Sequence, residues 1–303
     1  MIAPTSASWP ALPYDDWQPT CTTLHMWTQI VGKVRLALTP YVNHWWHTPL
    51  YVGVRGLTTS VIPYGDRSLE IEFDFVDHVL AIRCSDGSSR TLALVPRSVA
   101  AFLAEFMEAL KALGIEVHIW TMPVEFPNPI AFDRDTIHAA YDAEAVGRFW
   151  RVMRSVDAVL KEFRGGFIGK ASPSHFFWGS FDLTATRFSG RRAPPMPKAD
   201  PVTREGYSHE ESSVGWWPGD DTTRFPAFYS YVAPEPAGFA KAAVSPAAAY
   251  YDTAASQFRL KYDDVRSAAQ PRQALLDFCQ STYAAAADLA AWNRAELERR
   301  APN

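Results

Sequence analysis

Twice along this chain of 303 residues an amphipathic helical stripe runs into a histidine, a pair of aromatics and then an alternating apolar face. The first stripe is Leu24, Trp27, Val31, Val34 and Leu38, stepping by three and four and ending at Thr39-Pro40. The second is Phe149, Met153, Val156, Leu160, Phe163 and Phe167. His44-Trp45-Trp46 follows one and His175-Phe176-Phe177 the other. With His44 aligned on His175, alternate residues read His44, Trp46, Thr48, Leu50, Val52, Val54 in the first copy and His175, Phe177, Gly179, Phe181, Leu183, Ala185 in the second. Both faces are apolar in the same register, as a strand covered by a helix requires.

The remainder of each copy continues the parallel. Leu69, Ile71, Phe73 and Phe75 alternate with Glu70, Glu72 and Asp74, the signature of a half-buried antiparallel strand. Val79 to Cys84 turns at Ser85-Asp86-Gly87 into Thr91 to Val95, and a helix follows with Val99, Phe102, Phe106, Leu110 and Leu113 inward. In the second half, strands are expected near Tyr207 to Trp216, Phe228 to Val232 and Phe258 to Tyr262, before a helix through Leu275, Phe278, Cys279, Thr282, Ala286 and Leu289. Ile115 to Val124 reads as one more strand handing the chain across. The expected architecture is α+β: two divergent copies of a helix, a four-stranded antiparallel sheet and a helix, related by a pseudo-twofold axis. The repeats are placed at 1–122 and 143–303, with 123–142 connecting them.

Composition narrows the function classes. A net charge of -4 lacks the basic field that tracks a phosphate backbone, so no nucleic-acid partner is expected. No apolar run approaches the length that spans a bilayer, and Met1 to Pro13 shows neither a basic leader nor a signal core. Cys21, Cys84 and Cys279 are odd in number and widely spaced, which fits reduced thiols and a cytoplasmic setting. Aromatics at 14%, with 11 Trp, make the chain rich in the large flat side chains that line pockets and fill wide cores.

The strings Leu24-His25-Met26-Trp27-Thr28-Gln29-Ile30-Val31-Gly32-Lys33, Asn43-His44-Trp45-Trp46-His47, Ser174-His175-Phe176-Phe177-Trp178-Gly179-Ser180-Phe181-Asp182 and Thr186-Arg187-Phe188-Ser189-Gly190-Arg191-Arg192 resemble the bacterial family catalogued as domain of unknown function 5996. The resemblance runs from about Trp9 to about Trp292. It implies a full-length member of the family and brings no catalytic residues to transfer.

Chemistry is therefore sought in the residues themselves. His175 shares its expected strand face with Phe177, Phe181 and Leu183, with Arg187 at the far end, and is either a core histidine bonded to a carbonyl or a general acid or base. His44 is its expected counterpart, and Glu125 is either a carboxylate base or a cap on the Pro-rich connection. Lys33, Arg55, Lys170 and Arg187 lie beside Trp46, Phe177, Trp178 and Trp216 in sequence, and would anchor a carboxylate or phosphate on a flat ligand. The H-x-x-H spacing of His44 and His47 sends the rings to opposite faces of a strand. A metal site from His44, His175 and His209 stays geometrically open, and the sequence leaves the cofactor unknown. Glu210 and Glu211 read as a solvated acidic edge, and Ser189 to Glu205 as either a lid or a surface loop. No phosphate loop, dinucleotide fingerprint, nucleophile elbow or zinc helix occurs. The readings that remain are an enzyme acting on a partly aromatic or amphipathic anionic molecule, a binding protein for the same class, and an interaction protein whose aromatics are all core.

Overall fold

The computed structural model describes residues 8–299, so the first residues of the stretch read as leaderless lie outside it. The first half runs α1 (Tyr14–Leu38), a 3-10 turn (Asn43–Trp45), β1 (Tyr51–Val52), β2 (Gly56–Thr58), β3 (Ile62–Tyr64), β4 (Arg67–Asp74), β5 (Val79–Cys84), β6 (Ser89–Ala93) and α2 (Val99–Ala112). The second runs α3 (Ala143–Gly165), β7 (His175–Phe177), β8 (Asp182–Arg192), α4 (Pro201–Gly206), β9 (His209–Trp217), β10 (Ala227–Ala233), β11 (Tyr250–Asp252), β12 (Gln257–Lys261), α5 (Tyr262–Arg266), α6 (Pro271–Leu289) and α7 (Arg294–Leu297).

The class is α+β, with two antiparallel sheets of six strands each. One has the order β1-β2-β4-β5-β6 with β3 also paired to β4, and the other β11-β12-β10-β9-β8-β7. Each sheet exceeds the four strands expected because β1, β3 and β11 span only two or three residues, too few for alternation to register. Ile115 to Val124 forms no strand; its backbone is tied by side chains instead, Glu116 N to Tyr64 Oη at 2.8 Å and Val124 N to Gln29 Oε1 at 2.9 Å.

α1 begins ten residues before its apolar stripe, running through Pro19 and a cluster of threonines that discourage helix from propensity alone. Tertiary burial overrides that preference: Tyr14, Trp17 and Cys21 are all inside, and from Met26 to Arg35 every residue is buried. α2 starts from a Ser98 cap on Ala101 N, and α3 from an Asp142 cap on Glu144 N and Ala145 N. In β4 the expected faces hold: Leu69, Ile71 and Phe73 are buried, while Glu70, Glu72 and Asp74 each meet a polar partner.

Two corrections concern the histidine junctions. His44 does not start a strand: it sits in the 3-10 turn with φ of 59°, followed by Trp45 at 60°. The strand ladder reaches only Leu50, which exchanges reciprocal hydrogen bonds of 2.9 Å with Phe176 and so joins the two sheets edge to edge. Nor do His175 and Arg187 lie on one long strand. The chain reverses at Trp178 to Phe181, where Phe181 takes φ of 58° and donates its N–H to Phe177 O at 2.8 Å. His175 then pairs with Thr184 and Phe176 with Leu183, so Leu183, Ala185 and Arg187 fall on the face opposite His175 and Phe177.

Candidate functional site

Strand alternation gives the second sheet two unlike faces. Leu183, Ala185, Val214, Trp216 and Phe228 point toward α3 and α6 and are fully buried. The other face presents Asp182, Thr184, Thr186 and Phe188 from β8, His209, Glu211, Ser213 and Gly215 from β9, and Tyr229 and Tyr231 from β10, in cross-strand register. Ser213 Oγ lies 2.9 Å from both Thr184 Oγ1 and Thr186 Oγ1. Asp182 accepts hydrogen bonds from Tyr229 and Ser180. Tyr231 donates to Glu211 at 3.4 Å and receives one from Tyr207 at 3.3 Å. Gly215 leaves room for the Tyr229 side chain, which crosses it to reach Asp182 and would have to shift if a Cβ were added.

The carboxyls on this face lack ion-pair partners among the described residues, and burial dominates their titration. Burial pushes Glu211, 6% exposed, up to about 8 against the opposing Tyr231 hydrogen bond and Lys170 charge. Asp182 is raised by burial as well, despite its two hydroxyl donors. Glu125 reaches in from the connecting segment with φ of 51°, and an added Cβ on Gly179 would meet its Oε1 at 2.6 Å. Desolvation, then the charges of Asp182 and Asp200, raise its carboxyl too. At neutral pH Glu211 is thus mostly a protonated donor.

The other end of the face is basic. α4 docks on the 3-10 turn, with His44 N donating to Glu205 Oε1 at 3.3 Å and His44 Nδ1 to Gly206 O at 2.9 Å. That second bond places the proton on Nδ1 and leaves Nε2 as an acceptor, 2.7 Å from Lys170 Nζ. Lys170 is exposed and stands over the rings of Trp46, 5.2 Å away, and Phe188, 5.0 Å away. The His209 ring lies 5.5 Å from that of His44. Burial lowers the His44 pKa, and the charges of Lys170 and His209 lower it further; burial also lowers Lys170.

The other candidates are dispersed. His175 is 1% exposed, bounded by Trp46, Tyr51 and Phe177. Arg187 is equally buried behind the sheet, stacked on Phe163 and Tyr283 at 3.5 and 4.3 Å and donating to Phe163 O. Lys33 donates to Met122 O at 2.7 Å under Trp120, with burial lowering it to about 8. Arg55 is held by Asp74 and Asp77 on the first sheet. Trp178 packs against Gly32 and donates to Thr48 O at 2.9 Å, and Trp216 is core against Phe149. His47 turns back to Val42, away from His44. Among the described residues no group of three or more His, Cys, Asp and Glu side chains is placed to hold a metal ion.

Two loop readings change. Glu211 is not part of a solvated edge, because the alternation of β9 turns it into the sheet face while Glu210 pairs with Arg191 outside. The segment from Ser189 is not one unstructured loop: β8 continues through Arg192, and α4 is fixed to the His44 turn. Tyr207, Tyr229, Tyr231 and Asp182 were not anticipated. The signal available was the i, i+2 spacing of Tyr229 with Tyr231 and of Glu211 with Ser213, which puts each pair on one face of its strand.

No helix among the described residues is long and apolar enough to cross a membrane. Neither a curated protein nor a solved structure matches the chain. A family model does, described as "Family of unknown function (DUF5996)", over residues 9–299. That match takes in both sheets, the histidine turn and the polar face described above, and the chain belongs to this family.

Proposed function

We propose that this protein handles a small amphipathic anionic molecule on the polar face of its second sheet, with Lys170 holding the anion and His44 moving a proton. The observation that carries the reading is the 2.7 Å contact of Lys170 Nζ with His44 Nε2 between the rings of Trp46 and Phe188. An anion arriving at Lys170 competes with His44 for the ammonium protons and frees the Nε2 lone pair, already oriented by Gly206 O, to act as a base. Farther along the face, protonated Glu211 and the hydroxyls of Tyr207 and Tyr231 offer hydrogen bonds to polar groups on the same ligand. The reciprocal Leu50–Phe176 pair, with a long helix preceding each partner, supports reading the halves as divergent copies about a pseudo-twofold axis, with Leu50 and Phe176 as equivalents. A cytoplasmic setting belongs to the same reading, since all three cysteines are free.

The test is a thermal-shift and NMR screen of aryl and alkyl carboxylates and phosphate monoesters against wild type, Lys170→Met and His44→Gln. Stabilisation by one class that Lys170→Met abolishes is the expected result. A ligand converted by wild type but only bound by His44→Gln identifies an enzyme; a ligand recovered unchanged from wild type identifies a binding protein. If no class stabilises wild type, or Lys170→Met binds as well as wild type, the site assignment is wrong.

A further inference from the structure

Resting on the Lys170–His44 reading above, we propose that the anion taken there is a phosphate monoester, held between Lys170 and Arg192 and accompanied by a proton on His209. His209 opens β9, and its ring lies 5.5 Å from that of His44. Ser208 Oγ gives its single proton to Glu205 O at 2.8 Å, so in its 3.1 Å contact with His209 Nδ1 the hydroxyl accepts and the ring nitrogen donates. His209 therefore has the same tautomer as His44, with hydrogen on Nδ1 and a lone pair on Nε2. The two lone pairs differ in one respect. That of His44 lies 2.7 Å from Lys170 Nζ, while His209 Nε2 has no partner among the described residues.

The cation beside His209 is Arg192. From Phe188 to Arg192 β8 advances four residues while β9 advances only two, from Glu211 to His209, with Gly190 at φ of 86° inside the irregularity. Directly opposed residues of an antiparallel pair share a face, about 5 Å apart at Cβ, so the irregularity returns Arg192 to the face of Phe188 and His209. Arg191, its neighbour, is held on the other side by Glu210. Arg192 is exposed, and its guanidinium makes no hydrogen bond or ion pair with any described residue.

The charged groups around His209 are Lys170, Arg192 and Glu205, with His44 and the mostly protonated Glu211 alongside. Glu205, which accepts from His44 N, offsets one of the two cations and leaves one net positive charge. A carboxylate would neutralise that charge, but two imidazole lone pairs would then border an anion. A phosphate dianion needs one more positive charge, and a proton on His209 Nε2 supplies it while turning that lone pair into a donor. The ionisations also match: a phosphate monoester has its second pKa at about 6 and imidazole at about 6.5, so the monoanion can hand its own proton to Nε2. Burial, then the charges of Lys170 and Arg192, lower the His209 pKa in the free protein, and the proton comes with the anion rather than before it. His44, beside the lysine ammonium, is left unprotonated as the base.

Phenyl phosphate and benzoate serve as probes, each titrated calorimetrically into wild-type protein in two phosphate-free buffers of different ionisation enthalpy. At pH 7.5 phenyl phosphate should bind about tenfold or more tightly than benzoate and take up about one proton per site, with none for benzoate. Between pH 7 and 8 the Kd of phenyl phosphate should rise up to about tenfold relative to that of benzoate. Glu211 loses its proton in the same range and weakens both anions alike, so the ratio of the two isolates His209. His209→Gln should abolish the proton uptake and bring phenyl phosphate close to the affinity of benzoate, whereas a structural role for His209 would weaken both probes together. Arg192→Met, at an exposed position, should weaken phenyl phosphate about tenfold. Benzoate bound as tightly as phenyl phosphate by wild type, or phenyl phosphate bound without proton uptake, would overturn the phosphate assignment and leave the Lys170 site standing. Binding of neither probe would remove both.

Discussion

The two sheets share an architecture and treat their polar faces in opposite ways. On the first, each carboxylate of β4 is answered: Glu70 by Thr58 at 2.5 Å, Glu72 by Arg83 at 2.8 Å, Asp74 by Arg55 and by the N–H groups of Val76 and Asp77. Burial pushes Asp74 upward, yet those donors outweigh it and hold the carboxyl below its ordinary value. On the second, Asp182 and Glu211 face only hydroxyls, and burial leaves both above theirs. A matched face stabilises the fold; an unmatched one raises the pKa of its acids, a perturbation that clusters at sites of chemistry.

The largest expected effect tests the unmatched face. The folded pKa of Glu211, about 8, lies above its unfolded value, so its contribution is fully present below pH 4.5 and is lost as pH rises through 8. Glu211→Gln should therefore be more stable than wild type by about 4 kcal/mol at pH 9 and nearly equal at pH 4.5. Denaturant melts at the two pH values check this, and equal stabilities at pH 9 would erase the contrast between the sheets. The matched face should respond with the opposite sign. Asp74→Ala should cost about 2 kcal/mol at pH 7, chiefly from the two backbone donors of Val76 and Asp77 left without an acceptor, since Arg55 keeps Asp77. The loss should vanish as pH falls through the folded pKa of Asp74, which lies below its unfolded value, and a variant as stable as wild type at neutral pH would refute this account. The smallest effect sharpens the comparison from within the second sheet. Gly215→Ala should cost only about 1 kcal/mol, because the hydroxyl end of Tyr229 can swing aside. In doing so it should break the Tyr229–Asp182 hydrogen bond, and an Asp182 carboxyl resonance that titrates as in wild type would show that the bond does not control it.

The same contrast explains what could be read from the residues alone. The first sheet was legible through Leu69, Ile71 and Phe73 alternating with acids, and the turn at Ser85-Asp86-Gly87 announced itself by composition. The β7–β8 reversal did not, because it places Phe181 at positive φ, where bulky residues are rarely found, and the apolar alternation runs straight through it. That one concealed turn put Arg187 on the wrong face and separated it from His175. His44 and Lys170 were both singled out as candidates, but their contact depends on α4 docking from more than 150 residues away, which no local pattern encodes.

The burial of α1 has a consequence for synthesis. Its first turn and the segment before it are completed by residues more than 200 positions later: Tyr262 donates to Pro10 O at 2.8 Å, and Arg224 pairs with Asp15 at 2.7 Å. At ribosomal speeds of 5–20 residues per second, the edge before α1 waits roughly 12 to 50 s for Tyr262 to emerge, while Trp27 meets Phe102 much sooner. A slower elongation rate should therefore lengthen the time this edge stays open, without setting back the packing of Trp27 on Phe102 relative to the rest of the first half.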